Sequence, residues 1–127
     1  MTIALFARGA IAIAASILST AALAQQPLAE VFGQPVQVTT NGITNTLYFD
    51  ANGTVRIVTP NANVVQGTWT FSNGNLCIMT GAAQECWPYN APFQAQQPQT
   101  LASSCSTSTW VAQATNPGPA VRSERGN

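Results

Sequence analysis

Three cysteines are the residues of this 127-residue chain most able to form or exchange covalent bonds. Cys77 and Cys86 flank a predicted type II′ turn, whose register places them directly opposite each other at positions without ladder hydrogen bonds. Such a site brings Cα atoms to about 4.5 Å, which is within disulfide range. A redox-active pair is expected to have a C-x-x-C-like spacing or a nearby cation, and neither is present. We therefore predict a structural Cys77–Cys86 disulfide.

Cys105 is left without a predicted partner. A nucleophilic role would require an activating base, and the chain contains no histidine. Three alternatives stay open: a buried free thiol, an intermolecular bridge, or a disulfide in which Cys105 displaces Cys77 or Cys86. We expect Cys105 to be unpaired in the monomer.

Glu85 is the carboxylate best placed for acid–base chemistry, because the predicted register puts it on the same face as Ile78 and Trp87. An apolar setting can turn a carboxylate into a general acid. Its position beside a turn instead favours a solvated place at the rim of the fold, and no second carboxylate is positioned for paired acid–base chemistry. We predict that the protein is not an enzyme.

The large aromatic residues Trp69, Phe71 and Trp87 have two interpretations. They could line a ligand pocket, together with Glu85, or they could form the core. A domain this small needs its large side chains inside, which favours the core. Asp50, Asn52 and Thr54 alternate as oxygen donors but do not have the spacing of a calcium loop. We predict no metal site and no cofactor.

The elements that position these residues are short strands separated by turn signals. Alternating apolar residues between positions 35 and 89 predict six strands, near 35–40, 43–50, 54–59, 63–72, 75–80 and 83–89. Residues 91–104 are rich in Gln and Pro and are predicted to form a loop. Thr107 to Ala114, around Trp110, could add a seventh strand.

Five successive turns give registers that place the apolar residues on one common face. The most specific are Asn41-Gly42 and Asn73-Gly74, which are typical of two-residue hairpins. A shift of one residue in any register would move the side chains to the opposite face, so this agreement is strong evidence for the meander. A twisted sheet with one apolar face must roll up to bury it. We predict an all-β fold, an antiparallel meander of six to seven strands rolled into a small open barrel.

Four segments of the predicted sheet also resemble a known group of proteins. They are Leu47–Val55, Gly67–Trp69, Asn75–Cys77 and Glu85–Tyr89, read as L-Y-F-D-A-N-G-T-V, G-T-W, N-L-C and E-C-W-P-Y. Together they look like small exported bacterial proteins with a lipocalin-like β-meander, over about half of the mature chain. The resemblance implies a fold but no site, because the group has no established activity.

The N-terminus predicts export. Arg8 precedes an apolar run that leads into Ala22-Leu23-Ala24, a triplet typical of signal-peptidase cleavage. We predict a signal peptide over 1–24 that forms a helix, a single β domain over 25–115 and a flexible tail over 116–127. The protein is then periplasmic or secreted, with no stable membrane anchor after cleavage.

The charge of the mature chain argues against a nucleic-acid partner. The mature chain has three Arg, four acidic residues and no Lys or His, so it lacks the basic footprint of a nucleic-acid-binding protein. We predict a non-enzymatic binding domain for a small apolar ligand or a protein partner. The alternative is a structural or envelope-associated protein with no small-molecule ligand.

Overall fold

The computed structural model describes residues 26–118, which form an all-β antiparallel barrel. Its eight strands are β1 (Val36–Thr40), β2 (Ile43–Phe49), β3 (Thr54–Val58), β4 (Val64–Ser72), β5 (Asn75–Thr80), β6 (Ala83–Pro88), β7 (Gln99–Ala102) and β8 (Thr107–Ala112). A short 3-10 helix, Ala29–Val31, precedes them. The predicted signal peptide, its helix and the cleavage point before Gln25 lie outside the described residues. Within residues 26–118 no helix is long and apolar enough to cross a membrane.

The meander from β1 to β6 has the registers that its turns predict. Val38 lies opposite Asn45, Phe49 opposite Val55, Ile57 opposite Val65, and Trp69 opposite Ile78. The turns have the required backbone: both Asn41 and Gly42 have positive φ, at 52° and 81°, as a type I′ turn demands. Local turn chemistry therefore determines six of the eight strands.

The strand count is eight, whereas the sequence predicted six to seven. The predicted strand around Trp110 is present as β8, and the additional strand is β7, within the segment predicted to be a loop. Only Leu101 of its four residues is buried, so β7 has no apolar alternation to read. It forms a strand because its backbone pairs with that of β8 in an antiparallel ladder, with Gln99 opposite Trp110 and Ala102 opposite Thr107.

The sheet closes through a pairing that no turn encodes. β1 pairs with β8, so the strand order is β6-β5-β4-β3-β2-β1-β8-β7. The edge strands β6 and β7 face each other across the remaining seam, with no ladder between them in the described residues. Side-chain hydrogen bonds across this seam nearly complete the barrel, as described below.

The interior is filled unevenly along the barrel axis. One end carries the β2–β3 and β4–β5 turns and is covered by residues 26–33 and by the loop from Tyr89 to Gln97; we call it the closed end. The opposite end carries the β1–β2, β3–β4, β5–β6 and β7–β8 connections and has no such cover among the described residues; we call it the open end.

Candidate functional site

The closed end is packed by apolar residues from outside the strands. Leu28 and Val31 are fully buried, and Phe93 is almost so. Phe32 packs against Trp69 with ring centroids 5.8 Å apart, and Phe93 stacks on Trp110 at 5.8 Å. These segments supply the side chains that fill the barrel from this end.

A buried carboxylate ties the closed end together. Glu30 accepts hydrogen bonds from the Tyr89 hydroxyl and from the Phe93 backbone N–H, both at 2.8 Å. Burial raises the pKa of Tyr89 well above its usual range, and its hydrogen bond to Glu30 adds to the shift. Glu30 and Tyr89 line a hollow of about 230 Å³. Their polar groups satisfy each other, so this hollow offers a ligand little that is unpaired.

Asn116 joins the C-terminal segment to the same end. Its backbone N–H donates to the Glu30 carbonyl, and its side-chain amide donates to the carbonyls of Ala29 and Phe32. Gln34 donates in turn to the Asn116 side-chain oxygen at 2.8 Å. These hydrogen bonds connect Asn116, the first residue of the segment predicted as a tail, to the closed end. Residues 119–127 lie outside the described part of the chain.

The open end contains a cavity of about 320 Å³. Its wall combines apolar residues from several strands with a few polar groups. The lining is formed by Val38, Thr40, Asn45, Leu47, Ile57, Ile78, Thr80, Ala83, Gln84, Glu85, Trp87, Cys105 and Trp110. Its volume is at the lower end of the range found for small-molecule sites.

Trp110 forms the boundary between the cavity and the packed half. It is fully buried, lines the cavity, and stacks on Phe93 and Phe49, which do not line it. Trp87 meets Trp110 edge to face, with ring centroids 5.2 Å apart. The two indoles therefore form the inner part of the cavity wall.

The indole N–H groups of Trp87 and Trp110 are buried and have no hydrogen-bond partner among the described residues. The third tryptophan is different, because the Trp69 indole donates to the Asp50 carbonyl at 2.9 Å. Buried donors are normally paired, so these two unpaired N–H groups are exceptions.

Glu85 is half-buried and bridges the seam between β6 and the β7–β8 loop. It accepts hydrogen bonds from the hydroxyls of Ser103 and Ser106, the latter at 3.2 Å. The Ser103 hydroxyl also accepts from the backbone N–H groups of Cys105 and Ser106, which fixes the loop. Glu85 therefore holds the rim of the cavity together across the seam.

Exposed apolar side chains continue the inner face past the cavity to the rim. Ile43 and Val65 have the alternation of inward-facing residues in β2 and β4, yet they are 57% and 40% exposed. Their strands project beyond the packed interior at the open end, and neither side chain is among those that line the cavity. The open end therefore carries exposed apolar side chains beside the cavity.

The predicted disulfide is confirmed. Cys77 and Cys86 are bonded, with Cα atoms 4.0 Å apart, on the face of the sheet opposite the core. Cys105 is a free, exposed thiol that lines the cavity, whereas one of the alternatives had it buried.

The four residues predicted as ligand-lining or core divide between the two halves of the barrel. Trp69 and Phe71 belong to the packed core and do not line the cavity. Trp87 is both buried and cavity-lining, and Glu85 lies at the cavity rim. Among residues 26–118 no group of three His, Cys, Asp or Glu is arranged to hold a metal ion.

Sequence reasoning missed Trp110 and Glu30 as important residues. Trp110 was assigned only to a possible strand, because its place inside the barrel depends on the β1–β8 pairing. Glu30 lies before the first strand in a segment with no periodic pattern. The one usable signal was the presence of large apolar residues around Glu30, at Leu28, Val31 and Phe32, in a segment predicted to carry no strand.

Comparison of this chain with protein-family models, with curated proteins and with solved structures finds no match in any of the three.

Proposed function

We propose that this chain is an exported, non-enzymatic binding domain that holds a small, largely apolar ligand in the open half of its barrel. The observation that carries the proposal is the cavity of about 320 Å³, whose wall includes Leu47, Ile78, Trp87 and Trp110. An unfilled cavity inside a protein lowers its stability. Ligand binding would account for the presence of such a cavity at the open end.

The chemistry of the lining supports binding over catalysis. Its one carboxylate, Glu85, is engaged by two serine hydroxyls, and its one thiol, Cys105, has no histidine to activate it. The Cys77–Cys86 disulfide is compatible with an oxidising compartment outside the cytoplasm.

Titration with the uncharged fluorophore N-phenylnaphthylamine tests the proposal. We expect saturable binding at one site, with enhanced emission in the apolar cavity. Ala83 lines the rim and is exposed, so Ala83→Trp should obstruct the entrance and weaken binding roughly tenfold, equivalent to about 1.4 kcal/mol.

Ala51→Trp provides the matched control, because Ala51 is also exposed but lies in the β2–β3 turn at the closed end. This variant should bind like the wild type. Equal binding by both variants would place the fluorophore elsewhere, and absence of any binding would favour a structural role. Mass spectrometry of protein purified from the periplasm would then identify a natural ligand that copurifies.

A protein partner is the second candidate, favoured by apolar exposure outside the cavity. Val64 and Met79 are 53% and 42% exposed on the outer surface near the open end. The β4–β5 ladder begins at Thr68, so residues 64–67 of β4 have no partner from β5. An edge of this kind can accept an extended segment from another chain.

A further inference from the structure

We infer that the ligand of the open cavity is an organic amine, with an apolar body that occupies the cavity and an ammonium group that binds the Glu85 carboxylate at the rim. This inference rests on the proposed binding function and deepens it. It concerns the charge of the ligand, which the volume of the cavity does not determine.

Glu85 supplies the one charged group of the cavity lining. The other lining residues are apolar or aromatic, or carry uncharged hydroxyl, amide or thiol groups. Arg56, the only cation of residues 26–118, lies over the Tyr48 ring on the outer face of the sheet. No cation in this part of the chain therefore neutralises Glu85 inside the cavity, and an anionic ligand would lie next to a like charge.

One oxygen of the Glu85 carboxylate remains available. The hydroxyls of Ser103 and Ser106 both donate to Oε2, and Oε1 accepts no hydrogen bond from residues 26–118. The side-chain nitrogen and oxygen atoms of these residues that are both unpaired and fully buried are two indole nitrogens. Oε1 is not one of them, so it keeps accessible surface on a residue that lines the cavity. A carboxylate oxygen of this kind accepts hydrogen bonds and donates none.

The surroundings of Glu85 favour a molecule with one charged and one apolar part. Glu85 lies opposite Ile78 in the β5–β6 ladder, and Trp87, two residues further along β6, lines the same cavity. Ile78 and Trp87 are buried, whereas Glu85 is half-buried at the rim. An ammonium group at the rim would keep part of its hydration, while the carbon atoms attached to it would be removed from water inside the cavity. Its charge-assisted hydrogen bond to Oε1 would be stronger than one from a neutral donor.

Three ring compounds of similar size test this inference: cyclooctylamine, cyclooctanol and cyclooctanecarboxylate. Each is titrated into the purified protein by calorimetry at neutral pH, where the amine is an ammonium ion. We expect cyclooctylamine to bind roughly tenfold more tightly than cyclooctanol, as a charge-assisted hydrogen bond implies. Cyclooctanecarboxylate should bind most weakly, because Glu85 repels it.

Glu85→Gln is the decisive variant, because it removes the charge and keeps an oxygen for the Ser103 and Ser106 hydroxyls. It should abolish the preference for cyclooctylamine over cyclooctanol and leave the affinity for cyclooctanol nearly unchanged. Asp50→Asn is the matched control, because it removes the same charge between β2 and β3 at the closed end. This control should retain the preference.

A second measurement needs no variant. With glutamate labelled at the side-chain carboxyl carbon, the Glu85 signal should shift on saturation with cyclooctylamine and shift less with cyclooctanol. The signal of Glu30, at the closed end, should stay in place. Retention of the full preference in Glu85→Gln, or an unmoved Glu85 signal at saturation with cyclooctylamine, would overturn the inference. If Glu85→Gln binds neither compound, the carboxyl signal of the wild type decides.

The remaining outcomes separate the inference from the proposed function. If cyclooctanol binds as tightly as cyclooctylamine, or cyclooctanecarboxylate binds most tightly, the inference fails and the binding function stands. The same holds if N-phenylnaphthylamine binds and none of the three compounds does. If N-phenylnaphthylamine also fails to bind, the binding function itself is wrong.

Discussion

The two ends of this barrel are built from the same sheet, but the closed end is packed and the open end contains a cavity. At the closed end, the inward alternation of the strands meets Leu28, Val31 and Phe93, which fill the interior. At the open end the same alternation continues to Ile43 and Val65, where nothing in residues 26–118 covers it. Inward-facing apolar residues are present along the whole sheet. The closed half is the core because residues 26–33 and the loop from Tyr89 to Gln97 pack against it.

The same contrast holds for the polar groups of each half. Glu30 and Tyr89 pair with each other at the closed end, and Trp69 donates to Asp50. The indoles of Trp87 and Trp110 have no partner at the open end among the described residues. The polar groups named at the closed end are therefore paired, whereas two of those at the open end are not.

The largest expected effect compares tryptophans from the two halves. Trp69→Ala should lower the free energy of unfolding by about 3–5 kcal/mol, the usual loss for a buried large aromatic. Trp69 packs on Phe32 and Phe49 and donates a hydrogen bond, so the loss is not relieved by neighbouring empty space. Trp87→Ala should cost less, because one side of Trp87 already faces the cavity.

Urea denaturation of both variants checks this order, and fluorophore titration provides the complementary measurement. Trp87→Ala should weaken ligand binding while Trp69→Ala, where still folded, should not. A melting temperature for Trp69→Ala within a couple of degrees of wild type would show that the closed half is not the core of the fold.

A smaller effect compares the carboxylates of the two ends. Glu30→Ala leaves the Tyr89 hydroxyl and the buried Phe93 N–H without their acceptor, and should cost about 1–3 kcal/mol. Glu85→Ala should cost less, because the hydroxyls of half-buried Ser103 and Ser106 can turn to water. Chemical denaturation of the two variants side by side is the measurement, and a larger loss for Glu85→Ala would reverse our view of the two ends.

The smallest effect is a pH dependence confined to the closed end. Because the pKa of Tyr89 is raised in the folded protein, its phenol stays protonated there while the unfolded chain ionises from about pH 10. Its contribution to stability is therefore complete below about pH 10 and is lost as the pH rises toward the folded pKa.

Tyr89→Phe should flatten this loss of stability at high pH. Denaturation curves across this pH range check it, in a Cys105→Ser background so that thiolate exchange with the disulfide does not intervene. Parallel pH profiles with and without the Tyr89→Phe substitution would show that the phenol is not held by burial and Glu30.

Much of the fold could be predicted from particular residues. Asn41-Gly42 and Asn73-Gly74 specify two-residue turns, and each turn sets the pairing of the strands it joins, so the register that opposes Cys77 to Cys86 follows. Trp87 and Glu85 were among the candidates for the site for the same reason. Their neighbour Trp110 was not, because it reaches the cavity through β8, and β8 joins the sheet by pairing with β1.

The rest required contacts between distant parts of the chain. β7 has one buried residue, Leu101, and exists because β8 lies beside it. The cover of the closed end depends on Glu30, which accepts hydrogen bonds from Tyr89 and Phe93 across that end of the barrel. No local pattern encodes such contacts, since Glu30 and Phe93 both lie outside the predicted strands.

The sequence by itself determined the six-stranded meander, its common apolar face and its disulfide, because the register of a hairpin depends on the few residues of its turn. Only the tertiary structure decided that β1 closes on β8, that residues 26–33 fill one end, and that the other end stays open around Trp87 and Trp110. The physical reason is that an inward-facing side chain becomes core or cavity wall according to what is packed against it. At the two ends of this barrel that depends on segments far away along the chain.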